Sequence, residues 1–308
     1  MRLETLVAAC GRRGVAALPH DAIRELALLY RQTAADLSTA RDDPGSAPLA
    51  QHLNRLLGRA HNLIYAGRRS RPAGVFHFYA RTFPRVFRQT FPYTAAAVAL
   101  FLAGAAFGIL LAVADPGFER FILGGRMMDT IERREMWTHG IVAIKPFASS
   151  AIMTNNLAVA FAAFAMGTLA GIGTLYMMVF NGILLGVIAT ACHRAGMSLA
   201  LWSFVAPHGV LELPAIFIAG GAGLLLARGI LVPGTLPRRD AIADAGSDAV
   251  RLFLGVIPLL VVAGVIEGFV SPTAVEPGVK LLIGAALFVL FAAYLFRTAP
   301  GATPDSAP

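Results

Sequence analysis

One stretch of the chain, between Lys145 and Arg194, contains no Asp, Glu, Lys or Arg for 48 consecutive residues. A straight helix of that length would be about 72 Å long at about 1.5 Å per residue, whereas the hydrocarbon core of a bilayer is only about 30 Å thick. The stretch must therefore fold back on itself, and its glycine-containing segment 170–174 marks the reversal. This pattern predicts two membrane-spanning helices, at about 150–170 and 174–193.

Other apolar runs of spanning length flank this hairpin. Of the 308 residues, 56% are hydrophobic and 14% are charged, compared with about 25% charged residues in an average soluble protein. We therefore predict an all-α polytopic helical membrane protein with about six transmembrane helices, which excludes a soluble enzyme and a disordered regulator. The predicted spans are about 93–114, 150–170, 174–193, 207–230, 251–269 and 279–296.

The segments between and after these spans have their own patterns. Residues 115–147 predict an amphipathic external segment, with a solvated charged run at 132–135, and residues 234–248 predict a polar loop. The fourth span is expected to begin at Pro207, because proline is favoured at the first position of a helix, and its glycines at 220, 221 and 223 predict a face for close helix packing. Residues 298–308 predict a disordered tail.

Residues 1–92 predict a small cytoplasmic helical domain. Apolar residues recur at helical spacing in two segments, 21–41 and 48–66, which predicts a helical hairpin. Residues 74–92 interleave Phe and Tyr with Arg just before the first span, which favours a basic aromatic interfacial helix in the headgroup region over a surface that stacks nucleic-acid bases. His52 and His61 on the hairpin are interpreted as surface or rim residues.

The charge distribution predicts the orientation in the membrane. The net charge of +8 comes from residues 1–92, which hold 14 Arg and 6 acidic residues. No nucleic-acid-binding motif accompanies this charge, so we interpret it as a cytoplasmic excess under the positive-inside rule. Six spans then place both termini in the cytoplasm of a bacterial inner (cytoplasmic) membrane, with lipid as the surrounding partner and no nucleic acid.

A few polar side chains fall within the apolar spans. His208 and Glu212 are four residues apart, so on a helix they share one face. Intramembrane ionisable residues are expensive and are functional candidates, but a polar clamp between helices would use the same pair. The other candidates are Asn155, Asn156 and Asn181, predicted to join the pair in one polar core, and Glu267, interpreted as interfacial.

Known catalytic signatures do not occur in the sequence. The chain has no His-Glu-x-x-His, no Gly-x-Ser-x-Gly and no phosphate-binding loop. His208 and Glu212 alone are two ligands, one short of the three protein ligands of a catalytic zinc, and Cys10 and Cys192 form neither a disulfide framework nor a four-ligand site. The sequence therefore predicts no enzyme, no catalytic residue, no metal and no cofactor.

Several motifs resemble those of the stage II sporulation protein M family of membrane proteins. In the membrane part the matching residues are Ile152-Met153-Thr154-Asn155-Asn156, Gly167, Gly171, Gly173, Thr174, Asn181-Gly182, Gly186, Pro207-His208-Gly209-Val210-Leu211-Glu212 and Glu267-Gly268-Phe269. Near the N-terminus, Leu28-Leu29-Tyr30-Arg31 and Ala60-His61-Asn62-Leu63-Ile64-Tyr65 are similar to the longer members of the family.

The resemblance implies a role rather than a reaction. The member that names the family works in a membrane complex that recruits cell-wall hydrolases during endospore formation, which implies a non-enzymatic scaffold or assembly component of a cell-envelope complex. The longer members travel with MoxR-type AAA+ ATPases and von Willebrand factor A-domain proteins, which are therefore expected partners. The alternatives are a transporter or proton-coupled permease that uses the His/Glu/Asn cluster, and, third, a membrane-embedded enzyme.

Overall fold

A computed structural model of the chain describes residues 2–10, 18–65, 72–136 and 145–297. Within these ranges every regular element is helical, which confirms the predicted all-α class. The chain divides into two compact units, residues 1–75 and 76–308. The predicted disordered tail, 298–308, lies outside the described residues.

In its described residues up to 65, the N-terminal unit contains three α-helices rather than two. They are α1 (Arg2–Cys10), α2 (His20–Asp42) and α3 (Ala47–Tyr65). The predicted hairpin corresponds to α2 and α3, and Asp43 caps the turn between them by accepting hydrogen bonds from the Gly45 amide and the Ser46 hydroxyl. α1 was not predicted from the sequence, although its buried residues at 3, 6, 7 and 10 follow helical spacing. Leu3, Leu6 and Val7 pack against Leu26, Leu56 and Ala60 and form part of the core of the unit.

Ten α-helices follow in the described ranges 72–136 and 145–297. They are α4 (Pro72–His77), α5 (Phe83–Gln89), α6 (Phe91–Ala114), α7 (Pro116–Leu123), α8 (Gly125–Glu132), α9 (Lys145–Ala165), α10 (Ile172–Arg194), α11 (Ser198–Leu231), α12 (Arg238–Phe269) and α13 (Pro277–Phe296). Among the described residues, five of these helices are long and apolar enough to cross a membrane, namely α6, α10, α11, α12 and α13. The second predicted span corresponds to α9, which is not one of the five, so the sixth crossing stays a prediction.

The reversal predicted inside the charge-free run is confirmed. α9 ends at Ala165, a short 3-10 turn covers Met166–Thr168, and α10 begins at Ile172. Ala170 and Gly171 between the two helices have positive φ angles of 52° and 83°, which is the conformation that glycine adopts without strain. The hydroxyl of Thr174 in α10 donates to the carbonyl of Ala163 in α9, at 2.7 Å, and ties the two helices together.

α11 is the central helix of the membrane unit, and its predicted beginning at Pro207 is wrong. The helix has 34 residues and runs from Ser198 to Leu231 with both Pro207 and Pro214 inside it. Membrane helices tolerate internal proline where neighbouring elements stabilise the backbone, and α11 packs against α6, α9, α10, α12 and α13. His208 therefore lies about 15 Å along the helix from its first residue, at about 1.5 Å per residue, instead of at its first turn.

α12 begins earlier than predicted, because most of the expected polar loop is helical. Its first turns expose the charged residues and bury a stripe of small residues, Ala241, Ala245 and Ala249. The stripe faces α11, where a Cβ on Gly229 would lie 2.7 Å from the Ala245 Cβ. Alanine carries a weak hydrophobic signal, so the four-residue spacing was hidden among the charges of this segment.

Glycines allow α6 and α10 to pack backbone against backbone. Gly104 and Gly108 of α6 face carbonyl oxygens of α10, and Gly182 and Gly186 of α10 face carbonyl oxygens of α6. Spacing of small residues by four positions is typical of close helix pairs in membranes. The small-residue face predicted on α11 is also confirmed, since Gly220, Gly221 and Gly223 are buried against neighbouring helices.

The aromatic segment before the first span packs partly into the bundle rather than only along an interface. Phe83 is 1% exposed, and Phe83, Val86 and Phe87 of α5 belong to the main core, while Phe76 remains exposed. A π-helical turn, Phe78–Thr82, precedes α5. Two carbonyls of this turn accept hydrogen bonds from residues at the far end of the membrane part. The Tyr294 hydroxyl donates to the carbonyl of Tyr79 (2.6 Å), and the Arg297 side chain donates to the carbonyl of Ala80 (2.7 Å).

The segment after α6 forms two short amphipathic helices, α7 and α8, in agreement with the prediction. Met128 and Ile131 of α8 pack with residues of α10 and α11, and residues 132–135 are exposed as expected. Glu119 of α7 is 4% exposed and lies 3.2 Å from an Arg194 nitrogen. Burial raises the pKa of Glu119, and the guanidinium of Arg194 opposes that shift.

Candidate functional site

Three ionisable side chains meet where α11 packs against α12. The potential ligand atoms of His208, Glu212 and Glu267 all lie within 4.8 Å of one another. The Nε2 atom of His208 is 3.9 Å from Oε1 of Glu267. The predicted pairing of His208 and Glu212 on one helix face is therefore confirmed, and α12 contributes a third group from 55 positions further along the chain. We refer to these three residues as the His–Glu cluster.

Glu267, which was predicted to be interfacial, is enclosed by the helix bundle, and its depth in the membrane stays a prediction. Its side chain is only 14% exposed and faces His208. The small residues around it let neighbouring helices come close, because Gly268 is buried and a Cβ on Gly264 would lie 2.8 Å from the Met153 Cβ of α9. Glu267 therefore lies within the packed bundle, although it is only two residues before the end of α12.

The imidazole of His208 is held by a turn that the sequence analysis did not single out. Its Nδ1 atom is 2.9 Å from the hydroxyl of Ser271, and Ser271 is 1% exposed. The Nζ atom of Lys280 donates to the carbonyls of Ser271 and Thr273, both at 2.7 Å, so the buried ammonium of α13 stabilises the turn. The sequence feature that could have indicated this turn is the lone lysine in an apolar span, because a buried ammonium needs hydrogen-bond acceptors.

The three predicted asparagines have different surroundings. Asn156 is buried on α9, and its side-chain amide lies beside Glu267, so it adjoins the cluster as expected. Asn155 is exposed and donates to Asn156 at 3.4 Å. Asn181 donates to the carbonyl of Met177 in its own helix, at 2.7 Å. The predicted polar core thus gathers Asn156, His208 and Glu212, together with Glu267.

Neither carboxylate of the cluster has a Lys or Arg partner among the described residues. Oε2 of Glu212 and Oε2 of Glu267 are both buried with no hydrogen-bond partner. In the described part of the chain, the nearby cation Lys280 points to main-chain carbonyls rather than to either carboxylate. Two close carboxylates in a poorly solvated site are costly unless a proton or a cation lies between them.

Comparison with known proteins identifies the membrane part. The family model of Stage II sporulation protein M matches residues 97–272, more than half of the chain. The chain belongs to the stage II sporulation protein M family. The matched range includes the whole His–Glu cluster together with Asn156 and Ser271, which places the cluster in the part that the chain shares with this family.

Two further comparisons extend this assignment. Residues 1–66 match the model of Domain of unknown function (DUF8413), so the N-terminal unit is a recognised module beside the stage II sporulation protein M part. An uncharacterized protein of Methanocaldococcus jannaschii (MJ0793) is 28% identical over 128 residues, which cover 41% of this chain and 72% of that protein. No solved structure matches the chain.

Proposed function

We propose that this member of the family is a non-enzymatic scaffold or assembly component of a cell-envelope complex in the bacterial inner membrane. The observation that carries the proposal is that the His–Glu cluster and the adjoining Asn156 bring together polar side chains of three helices. Asn156 comes from α9, His208 and Glu212 from α11, and Glu267 from α12. A cluster of this kind fixes the geometry of a bundle.

The N-terminal unit supports a role in recruiting a partner. It has its own core of apolar side chains. Its surface combines apolar residues, with Leu28 54% and Leu49 51% exposed, and a network in which Arg2 contacts Glu25 at 2.8 Å and Arg59 contacts Glu4 at 3.7 Å. The partners proposed for it are a MoxR-type AAA+ ATPase or a von Willebrand factor A-domain protein, and cell-wall hydrolases for the complex as a whole.

The test is purification of the tagged full-length chain from its native membranes. We expect an AAA+ ATPase, a von Willebrand factor A-domain protein or a cell-wall hydrolase to be recovered at a stoichiometry comparable to that of the chain. A double substitution, Leu28→Asp with Leu49→Asp, is expected to release a cytoplasmic partner, while Leu102→Asn on an exposed face of α6 serves as a control that retains it. Recovery of the chain alone under all mild conditions would contradict the scaffold proposal.

The orientation proposed for the chain, with both termini cytoplasmic, gives a separate prediction. Short segments on the proposed cytoplasmic side (68–88, 228–251 and Arg297) carry eleven Arg, and those on the other side carry seven Lys or Arg. Reporter fusions after Arg71 and within 236–248 are therefore expected to report the cytoplasm, and a fusion at Gly125 the outside. A cytoplasmic signal at Gly125 would show that α6 does not cross.

A further inference from the structure

We infer that His208, Glu212 and Glu267 bind a divalent transition-metal ion, and that Zn²⁺ is the ion this ligand set favours. One imidazole nitrogen and two carboxylate oxygens are three protein ligands of the kinds that zinc takes. Imidazole disfavours Mg²⁺ and Ca²⁺, which prefer sites made of oxygen atoms alone. This inference concerns the membrane bundle and does not depend on the scaffold role or on any partner.

The spacing of the three groups fits one ion. Ligands about 2.0–2.2 Å from a tetrahedral zinc lie about 3.4 Å from one another. In the structure the ligand atoms are within 4.8 Å of one another, and the Nε2 of His208 is 3.9 Å from Glu267. The largest separation therefore exceeds the tetrahedral value by about 1.4 Å, a difference of the size that a change in side-chain torsions can close.

The two buried oxygens without partners are an independent sign of a cation-binding site. Oε2 of Glu212 and Oε2 of Glu267 accept no hydrogen bond, although both atoms are inaccessible to solvent. Buried carboxylate oxygens are almost always hydrogen-bonded or bound to a metal. A divalent cation would engage both oxygens and balance the two negative charges.

The surroundings of the cluster are those of a supported metal site. The Ser271 hydroxyl holds Nδ1 of His208 at 2.9 Å, which leaves Nε2 facing Glu267. Metal-binding histidines commonly have their second ring nitrogen fixed by such a hydrogen bond, which sets the tautomer. The Asn156 amide lies beside Glu267, where it can orient that carboxylate in the same way.

A bound ion would connect α11 to α12 near the end of α12. The ligands come from residues 208–212 and from residue 267, so the complete site forms only when the two helices have packed. Binding would therefore stabilise the folded bundle, because the unfolded chain offers no comparable site.

The experiment uses the full-length chain in detergent, with any polyhistidine tag removed and metal stripped by EDTA. Equilibrium dialysis against ZnCl₂ with elemental analysis is expected to give about one tightly bound Zn²⁺ per chain, a raised Tm, and no displacement by millimolar Mg²⁺. The substitutions His208→Gln, Glu212→Gln and Glu267→Gln are each expected to weaken Zn²⁺ binding at least about 100-fold. Ser271→Ala is expected to weaken it about 10–100-fold, the range for residues that orient a ligand.

Glu119→Gln is the matched control, since it removes a buried carboxylate that pairs with Arg194 and is not part of the cluster. This variant is expected to bind Zn²⁺ as the wild type does. Wild-type protein that binds less than stoichiometric Zn²⁺ would overturn the inference and leave a shared proton between the carboxylates as the explanation. Unchanged affinity in Ser271→Ala and in the folded Gln variants would overturn it as well.

Discussion

Gly182→Leu is expected to separate α10 from α6 and to destabilise the bundle by about 3 kcal/mol or more. A Cβ at this position would meet the main-chain carbonyl of Phe101 and would lie 2.9 Å from the main-chain nitrogen of Ala105. Overpacking usually costs about 1–3 kcal/mol when side chains can shift, and here the obstacle is backbone, which cannot yield without moving the helix. Thermal unfolding in detergent, monitored on the purified protein, measures the loss.

Gly246→Leu is the control for this substitution. Gly246 is also helical, but a Cβ there would approach only the flexible end of Leu226, at 3.8 Å. Leucine is also the better helix former, by about 1 kcal/mol, so this variant should be as stable as the wild type. Equal stability of the Gly182 and Gly246 variants would show that α6 and α10 do not need their close contact.

Glu212→Leu is expected to lower stability by about 1–3 kcal/mol, whereas Glu212→Gln should leave the metal-free protein close to the wild type. Leucine removes a carboxyl that can share a proton with Glu267, so Oε2 of Glu267 stays buried beside an apolar group without a partner, which carries that cost. The glutamine amide keeps the shape and offers a donor to the unpartnered oxygen of Glu267. The measurement is the Tm of all three proteins in excess EDTA, where metal binding does not contribute.

Comparison of the wild type with Glu212→Gln also distinguishes a scaffold from a proton-coupled transporter. A proton path requires an ionisable group, so Glu212→Gln would abolish transport while its fold stayed intact. If the chain is a scaffold, we expect no proton flux in proteoliposomes that contain the wild type or Glu212→Gln. We also expect both proteins to recover the same partner in EDTA. A pH-driven flux in the wild type that disappears in Glu212→Gln would establish the permease and refute the pure scaffold.

The membrane architecture could be predicted because charge is expensive in a bilayer. The absence of charge from Lys145 to Arg194 located the α9–α10 hairpin, including its turn at Ala170 and Gly171. The boundaries were harder where local rules compete with packing. Pro207 suggested the beginning of a helix, but contacts around α11 keep it inside a continuous one.

The candidate site was predicted only in part, because half of it depends on contacts that are distant in sequence. The four-residue spacing of His208 and Glu212 is a local signal and was sufficient to pair them. Nothing local connects Glu267 or Ser271 to that face, since both reach it only when α12 packs against α11. Asn181 is an amide side chain in an apolar span, which is the pattern expected of a polar-core residue. Its side chain instead donates a hydrogen bond to a carbonyl one turn earlier in its own helix.

The contacts at the π-helical turn have a consequence for chain connectivity. Tyr294 and Arg297 bond to the carbonyls of Tyr79 and Ala80, so the first and last segments of the membrane unit are immediate neighbours. The helices could therefore be joined in a different order without a change in how they pack. A short peptide bridge from residue 297 to residue 76, with new ends opened in the exposed 232–236 turn, would give a circularly permuted bundle with the same contacts.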